Sequence, residues 1–138
     1  MPIASAIKHR GGKHFTGPLT SSVGFGAKVG DGGAVTQITN RSTGVTLSNV
    51  SGAITTDTTS LAAEATADFI VTNTKVELND VVAVSVRSGS NGGGTTVSVV
   101  GVTAGTFTIR VHNGNVAAGT AETGAIIINF VVLKGASA

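Results

Sequence analysis

The sequence predicts an all-β protein: an antiparallel β-sandwich, jelly-roll-like, with an extended N-terminal arm. Composition is the first reason, since the chain is rich in Thr and Val while only 12% of its residues are charged, against about 25% in an average domain. Short alternating apolar and polar runs separated by turn residues are the second reason. The third is an apolar run over residues 125–133, which has strand length and is too short to span a membrane.

Residues 125–133 form the longest apolar run of the chain, and only Asn129 interrupts it. Strands that are apolar on both sides are typical of strands covered on both faces. We therefore expect this segment to be a central strand of a two-sheet core, with both faces covered and the other strands arranged around it.

The chain from residue 34 onward predicts about eight strands. Alternation is clearest in residues 106–112, where Phe107, Ile109 and Val111 share one face. The segment 58–66 is expected to be a polar loop with Leu61 as its apolar anchor. The expected strands are 34–39, 45–47, 53–55, 67–73, 81–87, 95–102, 106–112 and 125–133. The absence of Cys and Trp removes the hallmarks of immunoglobulin domains and favours a jelly roll.

Charge divides the chain into two regions, an arm over residues 1–33 and a β-sandwich domain over residues 34–138. Residues 1–30 contain four basic residues and no acidic one, a charge of +4, whereas residues 31–138 contain five basic and seven acidic residues, a charge of −2. The first segment is broken by glycines and has no strand or helix periodicity. We interpret it as an extended arm that orders against a neighbour.

Two partners fit such an arm on its composition. One is an acidic protein surface. The other is nucleic acid, for which four cations with Phe15 and Phe25 as stacking residues give a weak pattern. We expect no nucleic-acid partner, because such binders usually have a broader basic surface.

No catalytic, cofactor-binding or metal-binding residues are predicted, and we expect that the protein is not an enzyme. His9 and His14 lie in the arm without a nearby carboxylate, and His112 falls on the polar face of its strand. Glycines 92–94 precede a strand and not a helix, so they do not form a phosphate loop. A hydrolase with paired carboxylates remains a remote alternative; its acids would come from Asp57, Glu64, Asp68, Glu77, Asp80 and Glu122, all of which we expect to be solvated.

Neither a secretory signal nor a membrane span is expected. Lys8, His9 and Arg10 occupy positions where a signal peptide would be apolar. No run of residues approaches the length of a transmembrane helix. These features predict a protein made in the cytoplasm, with no membrane partner.

The β region resembles a module of tailed-bacteriophage virion structural proteins, in particular capsid decoration (cement) proteins. The resemblance covers about residues 33–134 and depends on a recurring β pattern. The segments that carry it are 35–37, 44–47, 51–55, 61–63, 69–73, 80–82, 88–89, 107–113 and 126–132.

The resemblance implies a protein without cofactors that binds the outer surface of the major capsid protein shell and stabilises it. It also implies a homotrimer located on the capsid exterior. In this interpretation the arm contacts the capsid through Lys8, Arg10, Lys13, His14 and Phe15. The alternative is a tail or head-fibre module that binds a host-surface glycan through its loops at 89–94 and 113–123.

Overall fold

The computed structural model describes residues 31–136 except residues 92 and 118. This part of the chain is all-β and forms no helix, hence none long and apolar enough to cross a membrane. Its eight strands are β1 (Gly32–Thr36), β2 (Val45–Thr46), β3 (Ser51–Thr55), β4 (Thr66–Thr72), β5 (Val81–Ser88), β6 (Thr95–Thr103), β7 (Thr106–Asn113) and β8 (Ile127–Leu133).

The strands form two four-stranded sheets. Sheet A has the order β1-β3-β8-β5, and sheet B has the order β2-β4-β7-β6. Both sheets are mixed, because β1 pairs parallel to β3 and β2 pairs parallel to β4, while all other pairs are antiparallel. The prediction of a purely antiparallel arrangement is therefore wrong. After β1 the chain passes through β2 in sheet B and returns to sheet A from the end at which β1 began, so β3 must run parallel to β1.

The alternation of apolar residues predicted for the longer strands is confirmed. In β7, Phe107, Ile109 and Val111 are buried, while the residues between them face outward or lie at the edge of the core. The inward faces of the two sheets meet in one core, where the rings of Phe107 in sheet B and Phe130 in sheet A lie 5.4 Å apart between centroids. The sheets thus pack face to face in a sandwich-like arrangement.

Two glycines let sheet A approach its neighbours closely. Gly33 and Gly52 are paired across β1 and β3. A Cβ atom on Gly52 would lie 2.8 Å from Leu47 Cδ2 and 2.9 Å from Phe130 Cε1. Because both neighbours belong to the core, a side chain at this position would displace the packing between the sheets.

The strand β8 lies in the interior of sheet A, between β3 and β5, but only one of its faces is covered. Ile128, Phe130 and Val132 point into the core and are buried, whereas Leu133 is 54% exposed and Asn129 is also exposed. The expectation that both faces are covered is therefore wrong for the part of the chain that the structure describes. The apolar pattern has no partner on the outer side of sheet A among the residues that the structure describes.

Candidate functional site

The five arm residues predicted to contact a capsid, Lys8, Arg10, Lys13, His14 and Phe15, lie outside the described residues. Of the predicted arm, the structure describes residues 31–33. Asp31 precedes β1, and its backbone carbonyl accepts a hydrogen bond of 3.1 Å from Asn49 Nδ2. This contact fixes where the N-terminal segment joins the β domain.

The domain has two distinct ends. We call the end that holds residues 31, 47–50, 73–80, 104–105 and 134–136 the base, and the end that holds loops 56–65, 89–94 and 114–126 the loop end. Strands β1, β3 and β5 of sheet A and β4, β6 and β7 of sheet B each have one terminus at the loop end. Residues 1–30 therefore join the domain at the base, opposite the loop end.

The structure brings together the two loops that we predicted for glycan recognition. Gly114 N donates to Gly94 O at 3.0 Å. Thr123 N donates to Asn91 Oδ1 at 3.0 Å, and Asn91 Nδ2 donates to Thr123 Oγ1 at 3.2 Å. The loops after β5 and β7 thus form one surface at the loop end.

Glu122 is the centre of this loop end and is completely buried. Its Oε2 accepts hydrogen bonds of 2.7 Å from both Ser90 Oγ and Thr95 Oγ1. Its Oε1 accepts bonds from the backbone amides of Gly124 at 3.1 Å and Asn91 at 3.2 Å. Burial alone would raise the pKa of Glu122, but these donors outweigh burial and lower the pKa to about 2.

The burial of Glu122 corrects the expectation that all the carboxylates are solvated. Asp80 at the base is also buried, with 6% of its surface exposed. Nothing in the sequence separates Glu122 from the exposed Glu64, since both lie in loops among Thr and Ala. The distinction arises only when hydroxyl and amide donors from two other segments converge on one carboxylate.

Arg41 is the second buried charge at the loop end, with 3% of its surface exposed. Its guanidinium donates to Gly124 O at 2.8 Å, Glu122 O at 3.2 Å and Thr56 Oγ1 at 3.1 Å, and its Nε donates to Thr59 O. Burial lowers the pKa of Arg41, and the negative charge of Glu122 opposes that shift. The planar fork of Arg41 thus links loop 56–65 to loop 114–126.

Asn113 completes the connection among the loops. It is fully buried, and its Nδ2 donates to Leu61 O at 3.0 Å and to Thr120 O at 2.8 Å. Leu61 also pairs with Glu122 in an isolated β-bridge and is buried. The prediction that Leu61 is the apolar anchor of its loop is therefore confirmed.

The buried polar groups of the loop end are occupied by one another. Among the described residues, every buried side-chain nitrogen or oxygen has a hydrogen-bond partner. The same part of the chain contains no group of three or more His, Asp or Glu residues arranged to hold a metal ion. These mutual hydrogen bonds hold the loops in a fixed shape. A carboxylate whose oxygens already accept several hydrogen bonds is also a poor general base.

The base is held by a second carboxylate. Asp80 Oδ2 accepts hydrogen bonds from Lys134 Nζ at 2.6 Å and Glu77 N at 2.8 Å, and Oδ1 accepts one from Gly135 N at 3.0 Å. The Lys134 ammonium is the main cause that lowers the pKa of Asp80 to about 2. Asp80 thus fastens the segment after β8 to the turn before β5.

The outer faces of the two sheets differ in chemistry. Sheet B carries threonines and an ion pair between Asp68 and Arg110, with Arg110 Nη2 2.7 Å from Asp68 Oδ2. Sheet A carries small and aliphatic residues outward, and Arg87 is the only charged residue in its four strands. His112 lies on sheet B at its outer face and is half-buried.

No family model, curated protein or solved structure matches this chain.

Proposed function

We propose that this protein is a structural component of a phage virion, a capsid decoration protein that binds the outer surface of the major capsid protein shell and stabilises it. In this proposal the protein acts without catalysis, cofactor, nucleic acid or membrane. Residues 1–30, through Lys8, Arg10, Lys13, His14 and Phe15, contact the shell. The β domain stands outside the shell as part of a homotrimer.

The observation that carries the proposal is the difference between the two ends of the domain. A segment with a charge of +4 joins the domain at the base, through Asp31. The cross-linked loops lie at the opposite end. A protein that is fastened at one end and displays the other suits attachment to a large surface.

Stabilisation by such a protein follows from mass action. A protein that binds only the assembled shell stabilises it by an amount that grows with its free concentration relative to its dissociation constant. An extended arm provides contact over a long path without a large folded interface. Residues 31–138 have a charge of −2. The net positive charge of the protein therefore lies in residues 1–30, the segment proposed to contact the shell.

The strand arrangement is proposed to be a variant of the jelly roll. The domain has eight strands in two four-stranded sheets, and the chain changes sheet at every connection except that between β6 and β7. The parallel pairs at the β1 and β2 edges are the departure from the ordinary jelly roll.

A head-fibre or tail-fibre module that binds a host-surface glycan is the second candidate. The union of loops 89–94 and 114–126 at one end, through Asn91, Thr123 and Glu122, favours it. Amide and hydroxyl groups of the kind exposed there are suited to sugar hydroxyls. In this case the base would face the virion and the loop end would face the host.

Copy number separates the two candidates. We expect the protein in purified virions at a ratio to the major capsid protein near one, measured by quantitative mass spectrometry with isotope-labelled peptides. A decoration protein covers a lattice and occurs in hundreds of copies, whereas a fibre occurs in far fewer. A few dozen copies or fewer would replace the first candidate with the fibre module, and complete absence from virions would contradict both.

A further inference from the structure

The outer side of sheet A carries mostly small and aliphatic residues, interspersed with Ser, Thr and Asn. Its rows follow from the strand register: Val81 lies beside Leu133, and Ala83 lies beside Val131, which lies beside Ser51. The next row holds Ser85, Asn129, Ala53 and Ala34. We call the outward residues of the four strands the A face; they are Gly32, Ala34, Thr36, Ser51, Ala53, Thr55, Val81, Ala83, Ser85, Arg87, Ser88, Ile127, Asn129, Val131 and Leu133.

The two most exposed large apolar side chains of the A face, Val81 and Leu133, lie side by side near the base. Val81 is 59% exposed and Leu133 is 54% exposed, and Leu78, which precedes them in the turn, is 67% exposed. Single exposed apolar residues are common, but a contiguous group on a flat sheet is typical of an interface.

The sequence of β8 indicates that the A face is covered. A strand that is apolar on both sides is characteristic of a strand buried on both sides. In β8 the inward residues Ile128, Phe130 and Val132 are buried, and the outward series contains Ile127, Val131 and Leu133. Among the described residues, other parts of the chain cover the inward series and not the outward one.

The charge of the A face indicates what covers it. Arg87, next to the irregularity in β5, is its single charged residue and stands at the edge toward the loop end. Copies of this face arranged around a common axis can therefore approach with Arg87 outside the contact and without desolvating ion pairs. An acidic or basic partner surface would find no complementary charge there.

We propose that the A face is the surface through which copies of this chain associate. The face contributes three to five outward residues from each of four strands, against about 20 to 30 residues a side in a standard interface. The strands thus supply the centre of an interface, and Leu78 and adjoining turns supply its rim. The number of copies, three, rests on the proposed function, whereas the position of the interface does not.

Matched lysine substitutions test the proposal in the full-length chain. Val81→Lys and Leu133→Lys place an ammonium in the A face, and Ile70→Lys places one on the outer face of sheet B, where Ile70 is 52% exposed. All three side chains are more than half exposed, so the substitutions remove little core packing. Sedimentation velocity over a range from about 1 to about 100 µM measures the association.

We expect the wild type to form an oligomer in this range and each A-face lysine to weaken association by at least about tenfold, because a lysine buried at an interface loses hydration without gaining a partner. Ile70→Lys should associate like the wild type. A wild type that stays monomeric at about 100 µM, or equal effects of Val81→Lys and Ile70→Lys, would overturn the proposal.

Thiol labelling provides a second measurement that does not depend on the lysine variants folding. The chain contains no cysteine, so Ala83→Cys and Ile70→Cys each introduce one unique thiol. At concentrations where the protein is associated, a maleimide should label Cys at position 83 at least about tenfold more slowly than in dilute solution, while the rate at position 70 stays constant. Equal rates at both concentrations for position 83 would contradict the interface.

Capsid binding by the same variants separates this inference from the proposed function. Suppose that Val81→Lys dissociates into monomers and that the wild-type oligomer does not bind shells. This result would support the interface and contradict decoration. Suppose instead that the wild type is monomeric in solution and binds shells normally, and that the thiol of Ala83→Cys is labelled freely on the shell. This result would retain decoration and reject the interface.

Discussion

Two buried side chains of opposite charge, Glu122 and Arg41, determine the shape of the loop end. They do not form a direct ion pair: Arg41 donates to the backbone carbonyl of Glu122, while the Glu122 carboxylate accepts from Ser90, Thr95 and two amides. Each charge is therefore compensated mainly by hydrogen bonds. Loss of either group would leave several buried donors or acceptors without partners, which is costly in free energy.

Replacement of Glu122 by Gln should destabilise the protein by about 3 kcal/mol, because an amide nitrogen would face hydroxyl and amide donors. The effect should also depend on pH. Since the pKa of Glu122 falls from 4.5 to about 2 on folding, the carboxylate stabilises the fold above pH 4.5, and this contribution is lost as the pH falls toward 2. Urea unfolding of wild type and Glu122→Gln between pH 7 and 2 measures the difference, which should shrink as the pH falls below 4.5.

Glu64→Gln is the matched control for this prediction. Glu64 is exposed in the same group of loops, so its replacement should change the free energy of unfolding by less than about 0.5 kcal/mol. A loss of stability in Glu64→Gln equal to that in Glu122→Gln, or a pH-independent difference between Glu122→Gln and wild type, would show that Glu122 does not act through its buried carboxylate.

At the level of strands and loops, sheet A depends on close packing between β3 and the segment after β2. Gly52 lies where a Cβ would contact Leu47 and Phe130 at under 3 Å. Gly101 in the edge strand β6 has no atom within 4 Å of its Cβ position. The two glycines therefore differ in surroundings although both lie within strands.

Gly52→Ala should destabilise the protein by about 1 to 3 kcal/mol through overpacking. Gly101→Ala should be neutral or stabilise the protein by up to about 1 kcal/mol, because alanine costs less backbone entropy in a strand. Thermal unfolding followed by circular dichroism compares the two variants. Equal melting temperatures would indicate that β3 can shift to admit a methyl group.

The sequence predicts the strands of this protein better than their arrangement. The longer strands alternate apart from one irregularity each in β5 and β6, and the predicted strand 106–112 differs from β7 (Thr106–Asn113) by one residue. Strand order depends on contacts between residues far apart, such as β1 with β3 and β3 with β8, for which alternation contains no signal. This is the reason that the parallel pairs were not predicted.

The same limit applies to the candidate site. The sequence identifies the loops 89–94 and 113–123 and the anchor Leu61 from composition and from an isolated apolar residue. It does not identify Glu122 or Arg41 as buried, because each is compensated by groups from other loops, such as Thr95 and Thr56. A sequence pattern reports local alternation, and these contacts are not local.

At the scale of the whole molecule, the core that the structure describes is assembled from residues at position 35 and beyond. The proposal that residues 1–30 serve attachment implies that this domain folds without them. The segment joins the domain at the base through Asp31, so the proposed attachment there would leave the loop end directed away from the shell.

Deletion of residues 1–30 should leave a folded domain with a free energy of unfolding within about 1 kcal/mol of the full chain, because no described core residue is removed. The same deletion should abolish binding to purified shells, measured by co-sedimentation. A full-length variant with Lys8, Arg10 and Lys13 replaced by Ser separates the charge of the segment from its length. Full occupancy of shells by the truncated protein would contradict attachment through residues 1–30.

The position of β8 in sheet A also governs the order in which the molecule can fold. Strand β5 pairs with β8 alone within sheet A, and β3 reaches β5 only through β8. Sheet A therefore stays in two separate parts until residues 127–133 have left the ribosome, whereas the β6–β7 hairpin can form earlier. Until then the valines of β5 have no partner strand, so a nascent or truncated chain exposes an aggregation-prone segment that the finished protein conceals.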